Sequence, residues 1–207
     1  MTLPVRRPPS AAVVPARADV LSCVRFHRDR APDARACGLY VDGTWTTLSR
    51  AELWARIEHW SGVFAAELPT STMVLFSKRL DVDLLAAYLG AMAAGHVPAQ
   101  ISYPSDKLSP AEFTRKVDHV RAICDVGAVF VDENNAAAVH EDGPRVFTPE
   151  TTSPGATPRF APGRDALVQF SSGSTGLQKG VHLRHAGVVA HMEAYAAHLG
   201  LRDDDAV

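Results

Sequence analysis

Twelve residues in the last fifth of the chain concentrate groups that bind phosphate. The stretch FSSGSTGLQKGV, residues 170–181, contains three glycines, four hydroxyl side chains and one lysine. Gly173 and Gly176 can adopt conformations that turn successive backbone N–H groups inward, which forms an anion-binding nest. Further donors and one positive charge come from Ser171, Ser172, Ser174, Thr175 and Lys179. These residue types predict binding of a polyanion, and the alternative is a flexible surface turn rich in Gly and Ser.

The stretch is not a Walker phosphate loop, whose pattern is GxxxxGK[ST]. The spacing from Gly173 to Lys179 is correct, but Gln178 replaces the second glycine and Gly180 replaces the hydroxyl residue that would bind Mg²⁺. Apolar, strand-like residues flank the stretch directly on both sides. The flanks favour an anchored loop over a linker.

The composition excludes several classes of protein. Apolar residues make up 46% and charged residues 21% of the 207 residues, and the formal net charge is −2. These values are typical of a globular protein and give no electrostatic reason to expect a nucleic-acid partner. Three widely spaced cysteines indicate free thiols in a reducing compartment, and the longest apolar run, residues 84–95, is too short for a membrane span of about 20 residues. We therefore expect a cytoplasmic protein.

The elements before the loop alternate between strands and helices. Residues 72–77 and 127–133 form apolar, strand-like runs, and residues 165–170 form a third that leads into the loop. Helix starts are predicted by Ser49 with Glu52 and by Ser109 with Glu112, because each pair can form a capping box. Core packing is expected along one helical face from Leu53, Ile57, Trp60 and Phe64. The order predicts an α/β fold with a largely parallel sheet flanked by helices.

Two regions lack such periodicity. Residues 1–17 contain four prolines and are expected to form an irregular leader, so the folded part begins near residue 18. Residues 134–165 are rich in proline, threonine and glycine and predict a surface connection. The connection is either a domain boundary or a long loop inside one domain.

The histidines at 182, 185, 191 and 198 do not have the spacing of a metal site, so no metal site is expected at these residues.

The loop resembles the signature of the adenylate-forming superfamily, which includes acyl-CoA synthetases, fatty acyl-AMP ligases and peptide-synthetase adenylation domains. The matching positions are Phe170, Ser171, Ser172, Gly173, Ser174, Thr175, Gly176, Lys179 and Gly180. Gln178 departs from the family pattern, which usually has proline there. Residues 46–68, 80–105 and 116–133 are similar to the segments that precede the loop in that family, and His185 matches a histidine that follows it.

The resemblance implies an ATP-dependent enzyme that converts a carboxylic acid to an acyl-adenylate and pyrophosphate. The loop from Ser171 to Gly176 would hold the β- and γ-phosphates, and Lys179 would stabilise the charge that develops there. Mg²⁺ is the expected metal, with its ligands downstream of this chain. The thiol acceptor is coenzyme A or a carrier protein, and the acid stays open among fatty, aryl and amino acids, with a preference for fatty acyl substrates and fatty acid metabolism.

Family members are about twice this length or more, so residues 18–207 are interpreted as an incomplete N-terminal part of an AMP-binding domain. We expect little or no activity from the chain alone, with a separate chain as one source of the missing half. Two alternatives remain. One is a non-catalytic remnant or interaction module that keeps the fold, and the other is an unrelated phosphotransferase.

Overall fold

The computed structural model describes residues 19–104, 108–139, 142–170 and 179–201. Within these ranges it contains a two-stranded sheet, a six-stranded sheet and the helices that cover them. The elements in chain order are α1 (Val20–Arg30), β1 (Arg35–Val41), β2 (Thr44–Ser49), α2 (Arg50–Glu67), β3 (Met73–Ser77), α3 (Val82–Ala94), β4 (Val97–Gln100), α4 (Pro110–Ile123), β5 (Val126–Val131), α5 (Glu133–Ala136), β6 (Arg145–Phe147), β7 (Asp165–Phe170), β8 (Gly180–Arg184) and α6 (His185–Leu199).

The large sheet has the strand order β6-β5-β3-β4-β7-β8. Every neighbouring pair from β6 to β7 is parallel, and β8 is antiparallel to β7. The sequence prediction of a largely parallel α/β sheet is confirmed. β1 and β2 form a separate antiparallel hairpin around Asp42 and Gly43, both of which have positive φ angles.

Helices cover both faces of the large sheet, and β3 is buried along its whole length. Val74 and Phe76 belong to the apolar cluster that contains α2 and α3, whereas Leu75 belongs to the cluster that contains α4. Successive side chains of a strand point to opposite faces, which explains this division. The connection from β3 to β4 therefore lies on one face, and the connection from β4 to β5 lies on the other.

The predicted helix starts are present. Ser49 and Glu52 form a reciprocal capping box at α2, and Ser109 and Glu112 form another at α4. The α2 stripe is core, as the periodicity predicted: Trp60 packs edge-on against Phe130 at 5.0 Å between ring centroids. Local sequence signals thus determine where these helices begin and which face they bury.

The proline-rich region contains structure that the sequence did not predict. α5 and the three-residue strand β6 lie within or next to it. Farther along, the backbone N–H of Arg159 donates to Ser61 Oγ at 2.8 Å, and the N–H of Ala161 donates to the Ala93 carbonyl at 2.8 Å. The segment 157–161 therefore runs across α2 and α3 as a strap hydrogen-bonded to both helices.

Helices α2 and α3 approach each other closely at Gly90. A Cβ atom placed on Gly90 would lie 2.5 Å from Trp60 Cβ and 3.0 Å from the Ser61 nitrogen. Both atoms lie at or next to the backbone of α2, so they can move away only at a cost in free energy. Glycine is needed here because only its missing side chain permits this helix separation.

Gly90→Ala should destabilise the protein by about 1–3 kcal/mol, because overpacking outweighs the higher helix propensity of alanine. Gly187→Ala in α6 is the matched control, since nothing lies within 4 Å of the Cβ it would add. Urea denaturation followed by circular dichroism measures both. Equal stability of the two variants would contradict the close contact.

His96 is a buried imidazole between α3 and β4, and it is only 1% exposed. Neither ring nitrogen makes a well-formed hydrogen bond with a described residue. Burial lowers the pKa of His96 below its ordinary value; the backbone of Phe64 opposes this effect and the charge of Arg159 reinforces it. The folded protein therefore holds this ring in its neutral form.

The free energy of unfolding should fall as the pH is lowered from 6.5, because the unfolded chain binds a proton at His96 more readily than the folded chain does. His96→Leu should make this fall shallower between about pH 7.5 and 5.5, a range that spans the ordinary histidine pKa. Denaturation at several pH values measures the slope. An unchanged slope in His96→Leu would rule out His96 as its source.

Candidate functional site

The carboxyl ends of five parallel strands, β3 to β7, meet at one edge of the sheet. Ligands of open α/β sheets bind outside this edge, where neighbouring connections leave towards opposite faces. Here that divergence occurs between β3, whose chain continues into α3, and β4, whose chain continues into α4. β7 ends at this same edge with Phe170, directly before the glycine- and serine-rich stretch in the sequence.

The two ends of the candidate phosphate loop are fixed by strand pairing. Phe170, the last residue of β7, lies opposite Gly180, the first residue of β8. Directly opposed residues of an antiparallel pair have Cα atoms about 4.5–5.5 Å apart. Lys179 is exposed and directly precedes β8. The other predicted site residues, Ser171, Ser172, Gly173, Ser174, Thr175 and Gly176, lie outside the described residues.

Gly180 is tightly packed beneath the ring of Phe170. A Cβ atom on Gly180 would lie 3.2 Å from Phe170 Cε1 and 3.1 Å from Val168 Cγ1. Phe170 is half-buried and packs against the apolar cluster that also holds Val168 and Ala99. The aromatic residue and the last glycine of the motif therefore form the closed base of the loop.

A buried ion cluster lies at the end of β3. Lys78 is 6% exposed and its Nζ contacts carboxylates of Asp81 and, at 2.8 Å, Asp132. Burial alone would lower the pKa of Lys78, but hydrogen bonds and charges from Asp132 and Asp81 outweigh it and hold the pKa above its ordinary value. Asp81 also caps α3. Lys78 therefore joins the ends of β3 and β5 to α3, which favours a structural role for this lysine.

Polar groups also gather where β3 and β4 diverge, and sequence reasoning missed them. Ser77 Oγ donates to the Ser102 carbonyl at 3.0 Å, and Lys116 Nζ donates to Ser102 Oγ at 2.9 Å. Ser77 ends a buried strand and Ser102 closely follows one. A polar residue at the end of an apolar run was the signal that could have found them.

Two of the histidines after the loop make different contacts. His182 Nδ1 lies 3.0 Å from Asp165 Oδ2 across the β7–β8 pair. His185 is buried, and its Nδ1 accepts a hydrogen bond from the N–H of Val20 at 3.2 Å. Burial lowers the pKa of His185, and the charges of Asp19 and Asp165 oppose that shift. Within the described ranges, no three His, Cys, Asp or Glu side chains are grouped to hold a metal ion.

Comparison with protein families matches residues 24–207 to the family described as AMP-binding enzyme. Among curated proteins, the phenyloxazoline synthase MbtB of Mycobacterium sp. (strain MCS) is 32% identical over 180 residues. That match covers 84% of this chain and 14% of the synthase, so the chain spans about one seventh of that relative's length.

Solved structures share the fold. The fatty acyl-adenylate ligase from L. pneumophila, in complex with acyl adenylate and pyrophosphate, has a TM-score of 0.77 and 16% identity, with 89% of this chain and 33% of that chain covered. McyG A-PCP complexed with phenylalanyl-adenylate has a TM-score of 0.73 and 19% identity, with 91% and 32% covered. No described helix is both long enough and apolar enough to cross a membrane.

Gly180→Ala should destabilise the protein by about 1–2 kcal/mol, because the new methyl group must displace the Phe170 ring. In a Phe170→Leu background the same change should cost at least about 0.5 kcal/mol less, since the coupling between contacting residues is then removed. Urea denaturation of the four proteins in this cycle measures the coupling. Gly163→Ala, where only ordinary contact is expected, is the control. Additive effects would contradict the packing of Phe170 on Gly180.

Proposed function

Because the chain belongs to the AMP-binding enzyme family, we propose that it supplies the phosphate-binding part of an enzyme that activates a carboxylic acid with ATP. Residues 18–207 would form the N-terminal portion of its adenylation domain. The observation that carries the proposal is the pairing of Phe170, the last residue of β7, with Gly180, the first residue of β8. This pair flanks the stretch rich in Gly, Ser and Thr in the sequence, and Phe170 lies at the carboxyl end of its strand.

In the proposed reaction, the carboxyl edge of the sheet stabilises a leaving group. The substrate carboxylate attacks the α-phosphorus of ATP, the bond to the β-phosphate oxygen breaks, and acyl-adenylate and pyrophosphate form. Negative charge grows on the departing phosphates, so backbone N–H groups, hydroxyl groups and Lys179 contribute most in the transition state. No general base is needed, because an ionised carboxylate is already a nucleophile.

The described residues offer no group of ligands for Mg²⁺. The family resemblance implies such ligands, and we expect them outside these residues; we derive no step through the ion. The lysine at the end of β3 is a weaker candidate for binding ATP, because two carboxylates already contact it. Lys179 is the lysine that directly borders the loop.

The acid and the thiol acceptor are finer proposals. One similar solved structure is a fatty acyl-adenylate ligase in complex with acyl adenylate, and another contains phenylalanyl-adenylate. These ligands support both fatty acids and amino acids as candidate substrates. The curated relative is a phenyloxazoline synthase, which moves our preference away from the fatty acyl substrate that the loop alone suggested. Coenzyme A and a carrier-protein arm both remain candidate thiol acceptors. A cytoplasmic location remains a prediction.

Exchange of labelled pyrophosphate into ATP tests the proposal. The chain completed with the remaining adenylation domain should catalyse exchange when its acid is supplied, whereas these 207 residues alone should show little or none. Release of ADP in place of AMP would point to the alternative phosphotransferase. A completed protein that binds neither ATP nor pyrophosphate would favour the non-catalytic remnant.

Lys179→Ala in the completed enzyme should reduce the exchange rate by about 10²–10³-fold, because one charged contact to the departing phosphates is lost. Lys179→Arg keeps a positive charge and should retain more activity than the alanine variant. Arg121→Ala, in the last turn of α4, is the control away from the carboxyl edge of the sheet. An unchanged rate for Lys179→Ala at saturating ATP would remove Lys179 from the mechanism.

A further inference from the structure

The pairing of β7 with the rest of the parallel sheet is short. Strand β4 pairs with β3 along the whole of Val97–Gln100, whereas its register with β7 consists, within the described residues, of Ala99 opposite Val168. On its other side β7 pairs with β8 along its length, from Asp165 to Phe170. We call these two strands the β7–β8 unit. The unit is joined to the body of the sheet by less backbone pairing than holds its own strands together.

Side-chain packing alone leaves the register of β7 on β4 open. Ala166 and Val168 are buried, and a slip by one residue would turn both of them to the other face of the sheet. A shift by two residues keeps the same faces, because successive side chains of a strand alternate. Burial therefore excludes the first error and permits the second, so a further contact along the strand direction is needed to fix the register.

The strap at residues 157–161 supplies contacts just before β7. The side-chain oxygen of Ser61 accepts a hydrogen bond from the Arg159 N–H at 2.8 Å and donates one to the carbonyl of the same residue. The ring of Phe160 lies 5.7 Å from the ring of Trp54, and the Ala161 N–H donates to the Ala93 carbonyl at 2.8 Å. Three consecutive residues of the strap are thus attached to α2 and α3.

Both helices carry a glycine where the strap crosses them. A Cβ atom on Gly62 of α2 would lie 3.3 Å from the Thr157 carbonyl carbon, and one on Gly95, at the end of α3, would lie 2.6 Å from the Ala161 oxygen. In both cases the nearest atom belongs to the backbone of the strap. The strap therefore lies in close contact with both helices, in a position that a larger side chain at Gly95 would obstruct.

We propose that the strap is a tether that fixes the register of the β7–β8 unit against β4, with Ser61 as its main anchor. Residues 162–164 separate Ala161 from the start of β7. This link reaches at most about 14 Å, since an extended chain advances about 3.3–3.6 Å per residue. A two-residue shift of β7 corresponds to about 6.6 Å, which is a large part of that reach. Pro162 restricts the link further through its fixed φ angle.

Two other contacts hold the β7–β8 unit, and they define the competing explanation. One is the packing of its buried side chains, and the other is the hydrogen bond from the Val20 N–H to His185, which directly follows β8. If these contacts suffice, the strap is a passive connection and its anchors do not affect β7. The proposal concerns the fold of the chain and does not rest on the proposed function.

Hydrogen exchange with mass spectrometry on the 207-residue chain tests the tether. Ser61→Ala removes both side-chain hydrogen bonds to Arg159, so amides of β7 and β8 should exchange at least about threefold faster through local opening. Amides of β5 should change less than about twofold, because β5 pairs with β3 and β6 and not with the unit.

Ser153→Ala is the matched control for Ser61→Ala. Ser153 belongs to the same connection and its side chain donates to Glu67 of α2 at 3.1 Å, but it precedes the strap. This variant should leave exchange in β7 and β8 unchanged. The tether is overturned if Ser153→Ala speeds exchange as much as Ser61→Ala, if β5 accelerates as much as β7, or if Ser61→Ala leaves β7 and β8 as they were.

Ala161→Pro tests the second anchor without altering the core. Ala161 is exposed, and proline removes the N–H group that donates to the Ala93 carbonyl. Exchange in β7 and β8 should again accelerate by at least about twofold, with β5 little changed. If Ser61→Ala does not fold, this variant decides alone, and unchanged exchange in β7 and β8 then overturns the tether.

Discussion

The central constraint on this fold is a parallel sheet whose middle strand is buried on both faces. Water cannot reach the backbone of β3, so its residues must be apolar on both sides and its neighbours must be reached by helical crossovers. With α3 on one face and α4 on the other, the chain leaves β3 and β4 in opposite directions. That divergence opens the carboxyl edge, where Ser77, Ser102 and Lys116 form hydrogen bonds.

Two lysines at this edge differ in how far they are buried. Lys78 is enclosed and held by Asp81 and Asp132, so removing both carboxylates would leave an uncompensated buried charge on the lysine. Lys179 is exposed and directly precedes Gly180, which pairs with Phe170. In the proposed function, fixed ends lower the entropy that a donor-rich loop loses when a phosphate binds.

Local signals made most of the fold predictable. The capping boxes at Ser49 and Ser109, the α2 stripe and the apolar run of β3 depend on residues close in sequence, and all appear in the structure. Strand β6 was missed because three residues carry no periodicity and their pairing with β5 is tertiary. The Lys78–Asp132 ion pair was missed because it too depends on a tertiary contact. The loop remains a prediction from the motif, whereas the packing of Phe170 on Gly180 and the Ser102 contacts depend on tertiary structure that local sequence does not reveal.

The bond between Val20 and His185 has a consequence for biosynthesis. It satisfies an N–H group in the first turn of α1 with a side chain 165 residues later in the chain. Such first-turn N–H groups have no partner inside their own helix. On the ribosome, α1 emerges early yet cannot complete its docking until the segment beyond β8 has left the exit tunnel. This contact of α1 can therefore form only late in synthesis, and until then the N–H group of Val20 must be satisfied by water.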